Sequence, residues 1–196
     1  MKKNISIISL LAITSILFTS AALEKSSSGA PASHTGAPGE KTCAASGCHD
    51  DNAVNAGSAK LTIEVGNKET SFVPGKTYSV KIKISDKDVS RFGFQLVVLD
   101  PASLSNCGTL LIRDSLRTKL VSNAYAMQDR KYATYSFNGT DATSDGMSEW
   151  VVNWTAPEGK ISNADFYVSA VSANDNMNDK GDHVYTKKLN LNAKKN

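Results

Sequence analysis

Cysteine and histidine are scarce here, three of each in 196 residues. Three thiols are too few for a disulfide-dense scaffold, and three imidazoles leave little material for a multi-histidine metal centre. Charge of one sign is missing as well. Lys and Arg number 22 against 19 Asp and Glu, and setting aside Lys2 and Lys3 brings the balance close to neutral. No basic field is available for nucleic acid or for an anionic membrane. A sustained helical apolar stripe is absent, so an all-helical or alternating βα architecture is excluded. No order of Ser, His and Asp, no paired carboxylates with a nucleophile and no phosphate loop is found, so an enzyme is not expected. The one long apolar run is Ile5 to Phe18, too short for a permanent membrane span.

That run has a purpose of its own. It follows the basic Met1-Lys2-Lys3 and is closed by the small residues Thr19-Ser20-Ala21-Ala22, as in a signal peptide over residues 1–22. The expectation is an exported protein, periplasmic or secreted, in a compartment where thiols oxidise or receive haem. Residues 23–34 are rich in Ser, Gly, Ala and Pro, cannot bury enough apolar surface to fold alone, and read as a flexible linker. Residues 35–57 form a small, polar segment around two cysteines. From residue 58 to 192 the pattern changes to period two.

Leu61, Ile63 and Val65 alternate with polar residues, and so do Tyr78, Val80, Ile82 and Ile84. Arg91–Leu99 is the most apolar segment beyond the leader and reads as a central strand. Shorter strands are expected over Thr109–Ile112, Thr118–Ser122 and Lys131–Phe137. Trp150, Val152 and Trp154 alternate again, and Phe166–Val171 and His183–Leu191 complete the set. Turn pairs such as Pro74-Gly75 and Asp100-Pro101 separate them. Eight or so short strands rich in β-branched and aromatic residues predict an all-β, antiparallel, immunoglobulin-like sandwich. The two tryptophans fall on one face and belong in its core. Asn174–Asp182 is expected as a long loop at one end. Asp175, Asn178, Asp179 and Asp182 could face a calcium ion there, but their spacing fits no EF-hand and a solvated turn is the better reading.

The chemistry concentrates in Cys43-Ala-Ala-Ser-Gly-Cys48-His49. Two thiols followed at once by an imidazole suit covalent attachment of a c-type haem, the thiols adding to the porphyrin vinyls and the histidine meeting the iron. Four residues separate these cysteines instead of the usual two. The small residues between them suit a loop lying against a flat macrocycle. A disulfide, between these two or from one of them to Cys107, is the alternative. Zinc is a third, one ligand short.

Pro74-Gly-Lys-Thr-Tyr-Ser-Val80, Arg91-Phe-Gly-Phe-Gln-Leu96, Trp154-Thr-Ala-Pro157 and Phe166-Tyr167 together resemble the pattern of the Reeler domain, an extracellular β-sandwich. With Thr35-Gly-Ala-Pro-Gly-Glu40 ahead of Cys43, Cys48 and His49, the chain is similar to exported Bacteroidetes-type proteins that carry such an element before a sandwich. The resemblance spans about residues 29 to 191. It implies secretion and one covalent haem c, with Cys43 and Cys48 as thioether anchors and His49 as the proximal iron ligand. It names no redox partner. Such relatives often end in an outer-membrane sorting domain. Here the chain stops at Asn196, from which a lone module is expected.

Under that reading the sixth iron ligand is to be found among few residues. Met127 lies in a polar loop where it has no core to fill. Tyr135 stands where the relatives are expected to carry a histidine. His34, His183, Met147 and Met177 are weaker candidates. Arg91, at the start of the central strand, could pair with a haem propionate or be a strand-edge charge. The leading expectation is an exported mono-haem c-type cytochrome that transfers electrons. The alternative is a haem-free binding or adhesion module with a structural disulfide at the same cysteines.

Overall fold

A computed structural model describes residues 29–123 and 125–194. The signal peptide expected over residues 1–22 lies outside them. The described residues form ten strands: β1 (Lys60–Val65), β2 (Ser71–Phe72), β3 (Thr77–Ser85), β4 (Arg91–Leu99), β5 (Thr109–Ile112), β6 (Thr118–Val121), β7 (Tyr132–Tyr135), β8 (Met147–Thr155), β9 (Asn163–Ala173) and β10 (His183–Ala193). A 3₁₀ turn, Phe137–Gly139, lies between β7 and β8. Among the described residues no helix is long and apolar enough to cross a membrane.

The strands make two sheets, ordered β1-β3-β8-β5 and β2-β10-β9-β4-β7-β6. Every pairing is antiparallel except the short parallel contact of β2 with β10. The sheets face each other across one core, as the period-two pattern requires: alternate residues of β1, β3 and β8 are buried. Trp150 and Trp154 stand at its centre. Phe94 lies 4.6 Å from Trp150 and Phe166 4.9 Å from Trp154, ring centre to ring centre. Both indole N–H groups are satisfied, by the Gly139 and Cys107 carbonyls. Cys107 itself is completely buried in this core.

β4 and β9 are buried on both faces, unlike the strands of the smaller sheet. The second cover is the N-terminal arm. Residues 29–34, expected as linker, lie on the outer face of the large sheet. The Ala30 N–H donates to Thr134 Oγ1, and the Gln95 side-chain amide donates to the Pro31 carbonyl and accepts from the His34 N–H. The composition forbids an independent core but not docking. Gln95, Thr134 and Ser169, buried on the outer face of a sheet, supply the hydrogen bonds that hold the arm down.

Candidate functional site

The arm first runs toward the Leu99 end of β4, where Thr35-Gly-Ala-Pro-Gly-Glu40 turns back. Gly36 and Gly39 take φ of +76° and +80°, a backbone region open to glycine. Ala37 drops between Val97, Leu99 and Tyr132. The Glu40 carboxylate is fully buried. It accepts from Arg130 Nη1 (2.6 Å), Tyr132 OH (2.9 Å) and Thr35 Oγ1 (2.5 Å). Arg130, only 6 % exposed, also donates to the Pro38 and Leu104 carbonyls. The hexapeptide is thus a clamp built around one satisfied buried ion pair. The motif is legible in the sequence, but its partner, Arg130, stands 90 residues on, where no local pattern marks it.

From the clamp the chain recrosses the sheet. The Cys43 N–H donates to Ser169 Oγ, and the residue packs on Val171 and Val184. A tight turn follows, with Gly47 at φ +78° and its N–H bonded to Asp50 Oδ2. His49 arrives at the opposite end of the sheet, that of Arg91. There Nδ1–H donates to Asp182 Oδ2 at 2.6 Å. Asp182 is almost entirely buried, and its other oxygen caps the Asn174 N–H. This bond fixes the imidazole as a donor at Nδ1 and leaves Nε2 as the uncommitted nitrogen of a half-exposed ring.

The thiols behave differently from one another. Cys43 is 7 % exposed and Cys107 wholly buried, while Cys48 is partly exposed. Desolvation pushes the Cys43 thiol up to about 11 and that of Cys107 up to about 12. All three are free thiols, so neither bridge weighed from the sequence is formed. Cys107 lies between the sheets whereas Cys43 lies outside the larger one, which excludes Cys107 as its partner. Cys43 Sγ points inward, 3.9 Å from the His34 carbonyl. As folded, Cys48 and His49 fit a haem anchor and an iron ligand. Cys43 does not, because its sulfur is covered by the arm and the sheet.

Tyr135 comes to this same region. Its ring covers Gly93, where a Cβ would stand 2.7 Å from the ring edge. Burial pushes the phenol up, and Cys43 and Cys48 act in the same direction. Met127 does not come here. Its methyl group packs on Gly39 at the clamp, the far end of the sheet from His49. Eight residue steps along β4 separate those ends, about 26 Å. Met127 and His49 are thus not brought together, because the polar loop carrying Met127 folds on the clamp. Arg91 reaches the right end, but Asp141, Asp175 and Thr140 hold its guanidinium.

The loop at residues 174–182 is a chain of side-chain-to-backbone turns, Asn174, Asn176 and Asn178 each accepting from the N–H two residues on. Asp175 holds Arg91, Asp179 holds Lys180, and Asp182 holds His49. Lys180 also meets Asp50 (3.3 Å) and Asp51 (3.0 Å) of the arm. Among the described residues no cluster of three or more His, Cys, Asp or Glu is arranged around a metal position.

The Reelin-N domain of F-spondin superposes with a TM-score of 0.53 over 75 % of this chain and 95 % of that one, at 21 % identity. The human F-spondin reeler domain gives 0.50 over 72 % and 95 %, also at 21 % identity. No family model matches the sequence, and no curated protein matches it. In fold, then, the protein is a Reeler-like β-sandwich. The N-terminal arm laid over its larger sheet is the part that carries the cysteines.

Proposed function

We propose that this chain is an exported, non-catalytic binding module whose working site is the Arg91 end of the large sheet, where the arm meets the loop at residues 174–182. The observation that carries this reading is the convergence of Cys48, His49, Asp182 and the Lys180 cluster at that end, with the arm pinned independently at the Glu40 clamp. One end of the strap is thereby fixed and the other presents a partly exposed thiol and an oriented imidazole. A fold alone says nothing of function; these side chains do. They offer a nucleophile, a ligand nitrogen and charged groups.

A second reading is favoured by the His49–Asp182 bond. A histidine that donates from Nδ1 to a carboxylate has the second-sphere support typical of an iron-ligating imidazole. In that reading Cys43 and Cys48 anchor one haem c, which would supply one-electron chemistry, and His49 holds the proximal position with Tyr135 nearby. Cys43 must then turn outward, so the stretch from Cys43 to His49 lifts from Val171 and Val184 while the clamp stays closed. An unnamed redox partner belongs to this reading only.

One preparation separates the two. The full chain is expressed with a cytochrome c maturation system and examined by absorption and intact mass after denaturation. The binding-module reading expects a colourless protein with three titratable thiols. A Soret band with an added haem mass, both lost in Cys48→Ala with Cys43→Ala, would overturn it in favour of the haem reading.

A further inference from the structure

One side of the sandwich is closed by β5 and β6, which lie against each other. Each is the last strand of its sheet among the described residues. A last strand presents unpaired backbone groups along its outer edge. Exposed apolar side chains gather on the same side. Leu111 in β5 is 46 % exposed, Leu116 in the turn between β5 and β6 is 70 % exposed, and Phe137 in the 3₁₀ turn is 64 % exposed. The two turns are bonded to each other. Arg117 Nη1 donates to the Asn138 carbonyl, and the Ser136 N–H donates to the Arg117 carbonyl. Apolar side chains collected in this way mark an interaction surface.

The order of residues on this side tells what it meets. Leu111-Ile-Arg-Asp-Ser-Leu116 reads, outward from its midpoint, as a cation and an anion, then a leucine on either hand. Leu111, Arg113, Asp114 and Leu116 are all exposed. The Arg113 side chain has no hydrogen-bond or ion-pair partner among the described residues. Asp114 Oδ1 accepts from the Leu116 and Arg117 N–H groups, which fixes the turn. Its Oδ2 accepts nothing among the described residues, and the carboxylate enters no ion pair there. Two opposite charges thus stand side by side without meeting, and a partner of one sign would satisfy one and repel the other. Rotation by half a turn about the midpoint carries Arg113 onto Asp114 and Leu111 onto Leu116. That is the self-complementarity an interface between two identical copies needs, where residue i meets j and j meets i.

We infer that this chain forms a two-fold dimer through its β5–β6 side, with the axis between Arg113 and Asp114. Arg113 of each copy pairs with Asp114 of the other, Leu111 packs on Leu116 of the other, and Phe137 borders the contact. The charges set the register and the leucines exclude water from it. Cys43 lies outside the larger sheet and His49 at its Arg91 end, so the dimer stands independently of the function proposed above.

Sedimentation velocity of the full chain, between about 10 μM and 1 mM, tests it. A monomer–dimer equilibrium is expected. Arg113→Glu turns both attractive contacts into repulsive ones and is expected to weaken the dimer at least about tenfold. Leu116→Ser is expected to weaken it too. Neither side chain supports the fold, so both variants fold as the parent does. An equimolar mixture of Arg113→Glu with Asp114→Lys brings opposite charges together at both contacts, and a heterodimer is expected where each variant alone is a monomer. Circular dichroism confirms that Asp114→Lys is folded; if it is not, the two other variants decide. A chain that stays monomeric throughout the range would overturn the proposal and leave this side to a different protein. A dimer unchanged by Arg113→Glu and Leu116→Ser would overturn it as well, placing the interface elsewhere.

Discussion

At the scale of single residues, burial decides chemistry. Three thiols of identical intrinsic reactivity sit in three environments, and only Cys48 is partly exposed. The thiolate is the reactive form, and desolvation holds Cys43 and Cys107 protonated far above neutral pH. Iodoacetamide at pH 8 is therefore expected to label Cys48 alone within minutes in the native protein and all three after denaturation, as read by peptide mass spectrometry. Equal labelling of Cys43 would mean that the arm does not hold its place. Glu40 and Arg130 make a second case. Glu40→Gln keeps the shape but leaves a buried guanidinium uncompensated, and a loss of about 3–5 kcal/mol is expected in urea unfolding. The double replacement Glu40→Leu with Arg130→Met removes both charges and should cost much less, so the two changes should be strongly non-additive.

At the scale of elements, the arm and the loop at residues 174–182 form a pair. Asp50 is held below the usual carboxylate range by the Gly47 N–H and by Lys180, and Asp51 by Lys180 and the Gly181 N–H. A carboxyl whose folded pKa is depressed stabilises fully above its unfolded value, and that contribution is lost as pH falls through the folded one. The latch should thus be complete at pH 7 and loosen under acid, below the ordinary carboxylate range. Hydrogen exchange of the Gly47 and Gly181 amides, corrected for the intrinsic pH effect, should show protection falling there while Val168 in β9 stays protected. Both carboxylates and Lys180 are exposed, so the effect is local and screened by salt. Lys180→Met should reproduce the loosening at pH 7 without a measurable change in melting temperature.

At the scale of the whole molecule, the sandwich depends on two tryptophans that bridge its sheets. Trp154→Phe keeps most of the apolar area but leaves the Cys107 carbonyl without its 2.7 Å donor. An orphaned buried acceptor costs about 1–3 kcal/mol, which for a domain of this size lowers the melting temperature by roughly 2–4 °C per kcal/mol. Calorimetry of the purified variant checks it, with the parent as reference. A shift of zero would show that the indole contributes through its area alone.

The alternation of Leu61, Ile63 and Val65, of Tyr78 to Ile84 and of Trp150 to Trp154 placed β1, β3 and β8, because a half-buried strand writes its period directly into the chain, while β4, buried on both faces, was legible as a continuous apolar run and the other five as short β-branched or aromatic stretches between turns. Only β2, two residues long, carried too little pattern to be seen. Cys43, Cys48 and His49 were legible as a chemical group because they are neighbours in sequence. What covers the large sheet was not legible. Ser-, Gly- and Pro-rich residues read as linker by composition, and only the buried Gln95, Thr134 and Ser169 of distant strands make them a docked strap. The same holds for Glu40 with Arg130 and His49 with Asp182. Each pair is separated by 90 residues or more, and hydrogen bonds at that range leave no periodic mark. Local pattern determined the strands and the motif; tertiary packing alone decided which thiol is exposed, which nitrogen of His49 is committed, and that Met127 and His49 stand at opposite ends of one sheet.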